Sequence, residues 1–127
     1  MRRKLMTIFA AAAFLTAICL LEQYAVHRIT GDAIQRMREA AEDIRAGRLE
    51  EAKQKTHVLD KAWDERAKLL ETMVDHSATD DVRYALSRLL AALEGKDRAA
   101  ALIYAGELEG SIEHVYERQE LSLENVL

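Results

Sequence analysis

The sequence predicts an all-α protein, with an N-terminal transmembrane helix followed by an antiparallel helical bundle of about four helices. Three observations predict this fold. The 127 residues include no proline and only five glycines, which disfavours the many turns of an all-β fold. Ala, Leu, Glu, Arg and Lys dominate, and these are strong helix formers. Apolar residues form one continuous run near the N-terminus and then recur at helical spacing.

The N-terminal segment has the features of a membrane anchor. Leu5 to Leu21 contains no charged residue, and a helix of that length spans roughly 25 Å, near the lower limit for crossing a bilayer. Three basic residues at positions 2–4 precede the run, whereas none directly follows it, and Tyr24 suits the headgroup region. This charge pattern predicts a single-pass protein of the bacterial cytoplasmic membrane, N-terminus inside. We therefore assign residues 1–27 to a signal-anchor or transmembrane segment.

Three other kinds of segment share some of these features. A cleaved signal peptide begins with the same basic and apolar regions, but neither Ala17-Ile18-Cys19 nor Glu22-Gln23-Tyr24 offers a good pair of small residues for cleavage. Cys19 could carry a lipid, although Ile18 stands where a small residue is expected. A buried helix of a cytosolic protein would not be apolar on every face for nearly five turns. The uncleaved anchor is the leading interpretation, with the cleaved signal as its closest rival.

Residues 28–127 are predicted to form an extracytoplasmic helical bundle domain. The first bundle helix should end at Gly47, which suits the left-handed position after a helix. The second should run from near Arg48 to about Asp75-His76. Short connections between successive helices predict that neighbours pack antiparallel. Spacings of three and four residues give the predicted core of these two helices: Ile34, Met37, Ala41, Ile44, Leu49, Ala52, Thr56, Leu59, Trp63, Leu70, Met73 and Val74.

The third and fourth bundle helices are delimited by capping residues. Ser77 or Thr79 is predicted to cap the third helix, with Asp80 and Asp81 in its first turn, where the helix dipole favours negative charge. Gly95 should close it. Asp97 should cap the fourth helix. The predicted core positions are Val82, Ala85, Leu86, Leu89, Leu90, Leu93, Leu102, Ala105, Leu108, Ile112 and Val115.

The charge balance excludes one class of partner. The net charge is −4, and beyond the three N-terminal basic residues the chain carries 15 basic against 22 acidic residues. An acidic surface repels phosphate backbones, so no nucleic-acid partner is expected. The single cysteine, Cys19, lies inside the apolar run, and the domain must therefore be stable without an intramolecular disulfide.

The segments taken in order resemble one bacterial family, catalogued as domain of unknown function 4363. The resemblance covers essentially the whole chain and is most specific at its end. It implies a membrane-attached, mostly helical bacterial protein of unassigned function, and it supplies no catalytic residues. It rests on the basic N-terminus and apolar span, Glu51-Ala52-Lys53, Trp63, Met73-Val74-Asp75-His76, Ile112-Glu113-His114-Val115-Tyr116-Glu117 and Leu121-Ser122-Leu123-Glu124-Asn125.

The histidines give little support for a metal site. No two of the four stand three to five residues apart, and no glutamate precedes a histidine by three, so the Glu-x-x-His pairs of di-metal bundles are absent. A ligand set of Asp75, His76 and Asp80 at one bundle end is the alternative. We expect no cofactor and no metal, and the sequence contains no nucleophile, phosphate-loop or Cys-x-x-Cys motif. An enzyme is therefore not expected.

The C-terminal segment is the candidate partner surface. Glutamates recur at three- and four-residue spacing around His114, and an exposed acidic face of this kind is ordinarily solvated but could bind a basic partner. The tail is apolar to its last residue, so it either docks on the bundle or forms an exposed apolar contact for a partner. We expect that partner to be another envelope or membrane protein. The residues of this predicted surface are Glu113, Glu117, Glu120, Leu121, Leu123 and Leu127.

Overall fold

The computed structural model describes residues 1–124, and of residues 119–124 it describes the backbone alone. Within this range the secondary structure consists of four α-helices, which confirms the predicted all-α class. Helices that neighbour each other in sequence pack together, and the first also packs against the last, as in an up-down four-helix bundle. The helices are α1 (Arg2–Arg45), α2 (Leu49–Leu70), α3 (His76–Glu94) and α4 (Arg98–Glu124).

Helix α1 joins the apolar N-terminal run to the first bundle helix without interruption. Its 44 residues extend about 66 Å, roughly twice the length of α2. The first buried side chain is Val26, so the N-terminal half of the helix projects beyond the bundle. The proposed division between residues 27 and 28 therefore lies within one helix. No proline occurs to break it, and Gly31 is accommodated in the helix interior.

The core lies where the four helices face one another, largely as their spacing predicted. Trp63 is the largest fully buried side chain and is only 2% exposed. Several predicted core residues at the margins are only partly buried, among them Ile34, Leu49 and Leu102. Small residues complete the packing where helices approach closely, and the fully buried ones that the predicted seams omitted include Ala67 and Ala101.

The boundary between α2 and α3 differs from the prediction. Helix α2 ends at Leu70 rather than near Asp75. Residues 71–74 form a turn, and Asp75 adopts an extended conformation (ψ 131°) as the N-cap of α3. Its Oδ1 accepts a hydrogen bond from the Ser77 backbone N–H at 3.2 Å. The predicted caps Ser77 and Thr79 were therefore wrong.

The charge placement at this helix start was also wrong. With the helix beginning at His76, the predicted first-turn residues Asp80 and Asp81 fall in its second turn. Their interaction with the helix dipole is weaker there, because the dipole acts mainly within the first turn.

The two hairpin turns share one backbone geometry. Gly47 adopts the predicted left-handed conformation (φ 80°), and the equivalent position in the α3–α4 turn is Lys96 (φ 53°). Gly95 closes α3 as predicted, but in an ordinary conformation (φ −76°) one residue before the left-handed position. Asp97 caps α4 as predicted, since its Oδ1 accepts a hydrogen bond from the Ala100 N–H at 3.0 Å.

Because of this turn geometry, introducing a glycine in one turn and removing one from the other should change the stability in opposite directions. Lys96→Gly should raise the free energy of unfolding by about 1 kcal/mol, because a lysine side chain disfavours positive φ. Gly47→Ala should lower it by about the same amount. As a matched control, Gly110→Ala lies in the interior of α4 with nothing near its added Cβ, and should raise stability. Urea unfolding of the full chain in detergent, monitored by circular dichroism, measures the free energy of unfolding of all three variants. If both alanine variants changed this free energy in the same direction, the turn geometry would be contradicted.

Candidate functional site

The end of the bundle nearest the apolar run, which we call the anchor-side end, brings together residues of all four helices. Helices α2 and α4 end there, and α3 begins there. The helix register is fixed by cross-helix contacts: the rings of His27 and Tyr116 lie 5.2 Å apart, and Arg66 donates a hydrogen bond to Asp32 at 2.7 Å. Two grooves open at this end, one on either side of α1.

The groove between α1 and α4 contains part of the predicted partner surface. Glu113 and Glu117 are both exposed at its rim, and Glu117 Oε2 lies 3.9 Å from His114 Nδ1. The rest of that predicted surface, which comprises the side chains of Glu120, Leu121 and Leu123 and all of Leu127, lies outside the described residues. The other residues lining the groove are His27, Thr30, Gly31, Ile34 and Tyr116.

The alternative metal site at the start of α3 is not assembled. Asp75 caps the helix and accepts hydrogen bonds from the Ser77 hydroxyl at 2.9 Å and from Arg118 at 2.6 Å. These bonds, the one from Ser77 foremost, hold the pKa of Asp75 below its usual value. His76 instead lies 3.9 Å from Glu71. In the part of the chain that the structure describes, no group of three or more His, Cys, Asp or Glu residues could hold a metal ion.

The groove between α1 and α2 was not predicted from the sequence. Arg28 donates a hydrogen bond to the Tyr24 hydroxyl at 2.9 Å. One carboxylate oxygen of Asp32 accepts from both Arg36, at 3.1 Å, and Arg66, at 2.7 Å. The sequence signals were the i,i+4 pairs on α1, but only the fold brings Arg66 to them. The cavity has a volume of about 460 Å³ and is lined by Leu21, Tyr24, Ala25, Arg28, Ile29, Asp32 and Arg66.

The other end of the bundle, where α1 connects to α2, is stabilised by a buried carboxylate. Asp43 occupies a buried position on α1, and its oxygens lie 2.8 Å from Arg48 Nη2 and 2.6 Å from Lys55 Nζ. The hydrogen bond from Lys55, followed by that from Arg48, lowers the pKa of Asp43. Arg98 at the start of α4 donates a hydrogen bond to the backbone carbonyl of Ile44 at 3.0 Å, and this carbonyl also accepts one from the Gly47 N–H at 3.0 Å. Polar contacts therefore stabilise this end of the bundle.

The Asp43 cluster should make stability depend on acid pH. A carboxylate with a lowered folded-state pKa stabilises the fold above its unfolded pKa, near 4, and this stabilisation is lost as the pH falls through the folded-state value. Asp43→Asn should lower the thermal midpoint at pH 7 by about 5 °C and reduce the loss of stability below pH 4. Asp81→Asn, at an exposed residue, is the matched control. Thermal scans from pH 7 to 3 that showed the same acid dependence for both variants would contradict this role.

One helix within the described residues, α1, is long and apolar enough to span a membrane. An 18-residue window within it has a mean hydropathy of 2.1, and none of that window is buried. Exposed apolar side chains project from it on several faces, for example Phe9 at 70% exposed and Phe14 at 67%.

The comparison with protein families assigns the bundle, and not most of the N-terminal apolar run, to a known family. A comparison with curated proteins found no match, and a comparison with solved structures found none either. One family model matches residues 20–126, which covers the bundle helices and leaves most of the apolar run outside the match. The chain therefore belongs to the family described as domain of unknown function, DUF4363.

Proposed function

We propose that the protein is a membrane-tethered interaction module, whose helical bundle is held outside a bacterial cytoplasmic membrane. The observation that carries the proposal is the wholly exposed apolar half of α1, which would have no cover in water. The three basic residues at positions 2–4 favour an N-terminus inside the cell.

The continuity of α1 gives this tether a mechanical property. A helix that runs from the apolar segment into the bundle core holds the bundle at a defined height and orientation, unlike a flexible linker. The anchor-side end then faces the membrane surface, and its exposed groups are available to a neighbouring membrane protein. We propose that Glu113 and Glu117 on α4 form part of that contact, and that the role is binding rather than catalysis.

Protease protection tests the location. Cells expressing the full chain with a C-terminal tag should retain the tag in the membrane fraction. Protease added outside the cells should remove the tag. Intact-mass analysis should show that Met1 to Leu21 remain attached. Release of a shorter protein would replace the anchor with a cleaved signal, whereas a soluble protein inside the cell would reject the proposal.

Photo-crosslinking tests the partner surface. A photoreactive residue at Glu117 should capture another membrane or envelope protein in intact cells. The same residue at Val58, which is 55% exposed on α2, is the control position. Equal capture from both positions, or none above background from Glu117, would remove α4 as the partner surface while leaving the membrane location untouched.

A further inference from the structure

The groove between α1 and α2 combines positive charge with an apolar wall at the point where α1 leaves its apolar segment. The positive charge comes from Arg28 and Arg66, which line the groove together with one carboxylate, that of Asp32. This local excess stands out because the chain beyond position 4 carries 15 basic and 22 acidic residues. A positive groove in an acidic domain favours a negatively charged occupant.

The guanidinium of Arg28 has N–H donors that are available to a ligand. Its guanidinium makes one hydrogen bond, to the Tyr24 hydroxyl, and among the described residues no carboxylate oxygen lies within 4 Å of it. A guanidinium carries five N–H donors in a planar arrangement that matches phosphate oxygens. Tyr24 therefore positions Arg28 without neutralising its charge.

The height of this groove matches the headgroup layer, if the apolar run spans the membrane as proposed above. Tyr24 lies about 4.5 Å along the helix axis from Leu21, and the headgroup layer is about 5–7 Å thick. Arg28 starts one turn farther out, but side chains on a helix point towards its N-terminus, here towards the membrane. Its hydrogen bond to Tyr24 is consistent with that direction.

The groove wall continues the apolar surface of the anchor. Leu21, Ala25 and Ile29 line the same cavity as the arginines. Leu21 is exposed, whereas Ala25 and Ile29 are half-buried against the bundle. An acyl chain could follow this wall from the bilayer, with its phosphate next to the arginines.

From this arrangement we infer that the α1–α2 groove binds one anionic phospholipid, with the phosphate between Arg28 and Arg66 and an acyl chain along Leu21 and Ile29. The inference rests on the proposed membrane location. A bound lipid would link α1 to the end of α2 and so set the tilt of the bundle over the membrane. Asp32 weakens this site, because it partly neutralises Arg66.

Native mass spectrometry of the full chain in a neutral detergent tests the inference, with phosphatidylglycerol and phosphatidylcholine as competing probes. Phosphatidylglycerol should bind more tightly than phosphatidylcholine. Arg28→Gln and Arg66→Gln should each weaken phosphatidylglycerol binding about fivefold, and the double variant roughly thirtyfold, since each basic residue near a lipid surface contributes about 1 kcal/mol. Arg88→Gln, which breaks an exposed ion pair to Glu107 on the α3–α4 face, should leave binding unchanged.

A gain-of-function variant separates lipid binding from a loss of structure. Asp32→Asn removes the carboxylate and should strengthen phosphatidylglycerol binding, whereas mere damage to the bundle would weaken it. Equal binding of the two lipids, or equal losses in the Arg28 and Arg88 variants, would overturn the inference. So would displacement of the lipid by millimolar inorganic phosphate, which would mark a site for a soluble anion. Membrane extraction of the same variants reports the location independently, so a lipid result can fail while the membrane proposal stands.

Discussion

Trp63→Ala is expected to lower the free energy of unfolding by about 3–5 kcal/mol, the largest loss expected from a single core substitution in this bundle. Trp63 is 2% exposed and belongs to the same buried cluster as Leu59, Ala67 and Leu70 on α2. Removing the indole would leave a cavity that rigid helices can close only in part. A loss of this size is comparable to the whole stability of a small domain.

A conservative variant separates the packing of Trp63 from its polar group. The indole N–H is buried and has no hydrogen-bond partner among the described residues. Trp63→Phe should therefore cost much less than the alanine variant, because it retains an aromatic ring and removes an unsatisfied donor. Urea unfolding of both variants in detergent provides the measurement. A phenylalanine variant as unstable as the alanine variant would mean that the N–H has a partner of its own.

Placing two aspartates in the apolar segment is expected to abolish membrane insertion. Phe14 and Leu15 are 67% and 63% exposed, and lipid would surround them if α1 spans the bilayer. Each aspartate near the centre of a membrane helix costs about 3 kcal/mol, so the pair should cost roughly 6 kcal/mol. The double variant Phe14→Asp, Leu15→Asp should move from the membrane pellet to the soluble or degraded fraction after alkaline extraction.

The matched control for this experiment uses exposed apolar residues of the bundle. Val58 and Tyr84 are 55% and 62% exposed, close to the values in the apolar segment. Val58→Asp with Tyr84→Asp makes the same change in charge but should leave the protein in the membrane pellet. If both double variants partition alike, the exposed apolar half of α1 has no special relation to lipid.

The helical class, the apolar run and most of the core could be predicted from the amino-acid sequence. These follow from local rules: a period of 3.6 residues marks the buried face, and Gly47 and Asp97 end or begin helices through their own backbone and side-chain preferences. The errors at the start of α3 have the same local origin. Asp75, Ser77 and Thr79 are all good capping residues, and their spacing alone does not choose among them.

Contacts between distant parts of the chain could not be predicted in this way and appear only in the folded structure. Asp43 falls on the buried side of α1, and only the hairpin brings Lys55 to it. The positive groove is a similar case, because Arg66 and Asp32 are 34 positions apart in the sequence and meet only in the fold. Periodicity assigns a face to each residue but carries no information about how two helices are aligned. The relative alignment of α1 and α2 therefore determines which charges meet at the anchor-side end.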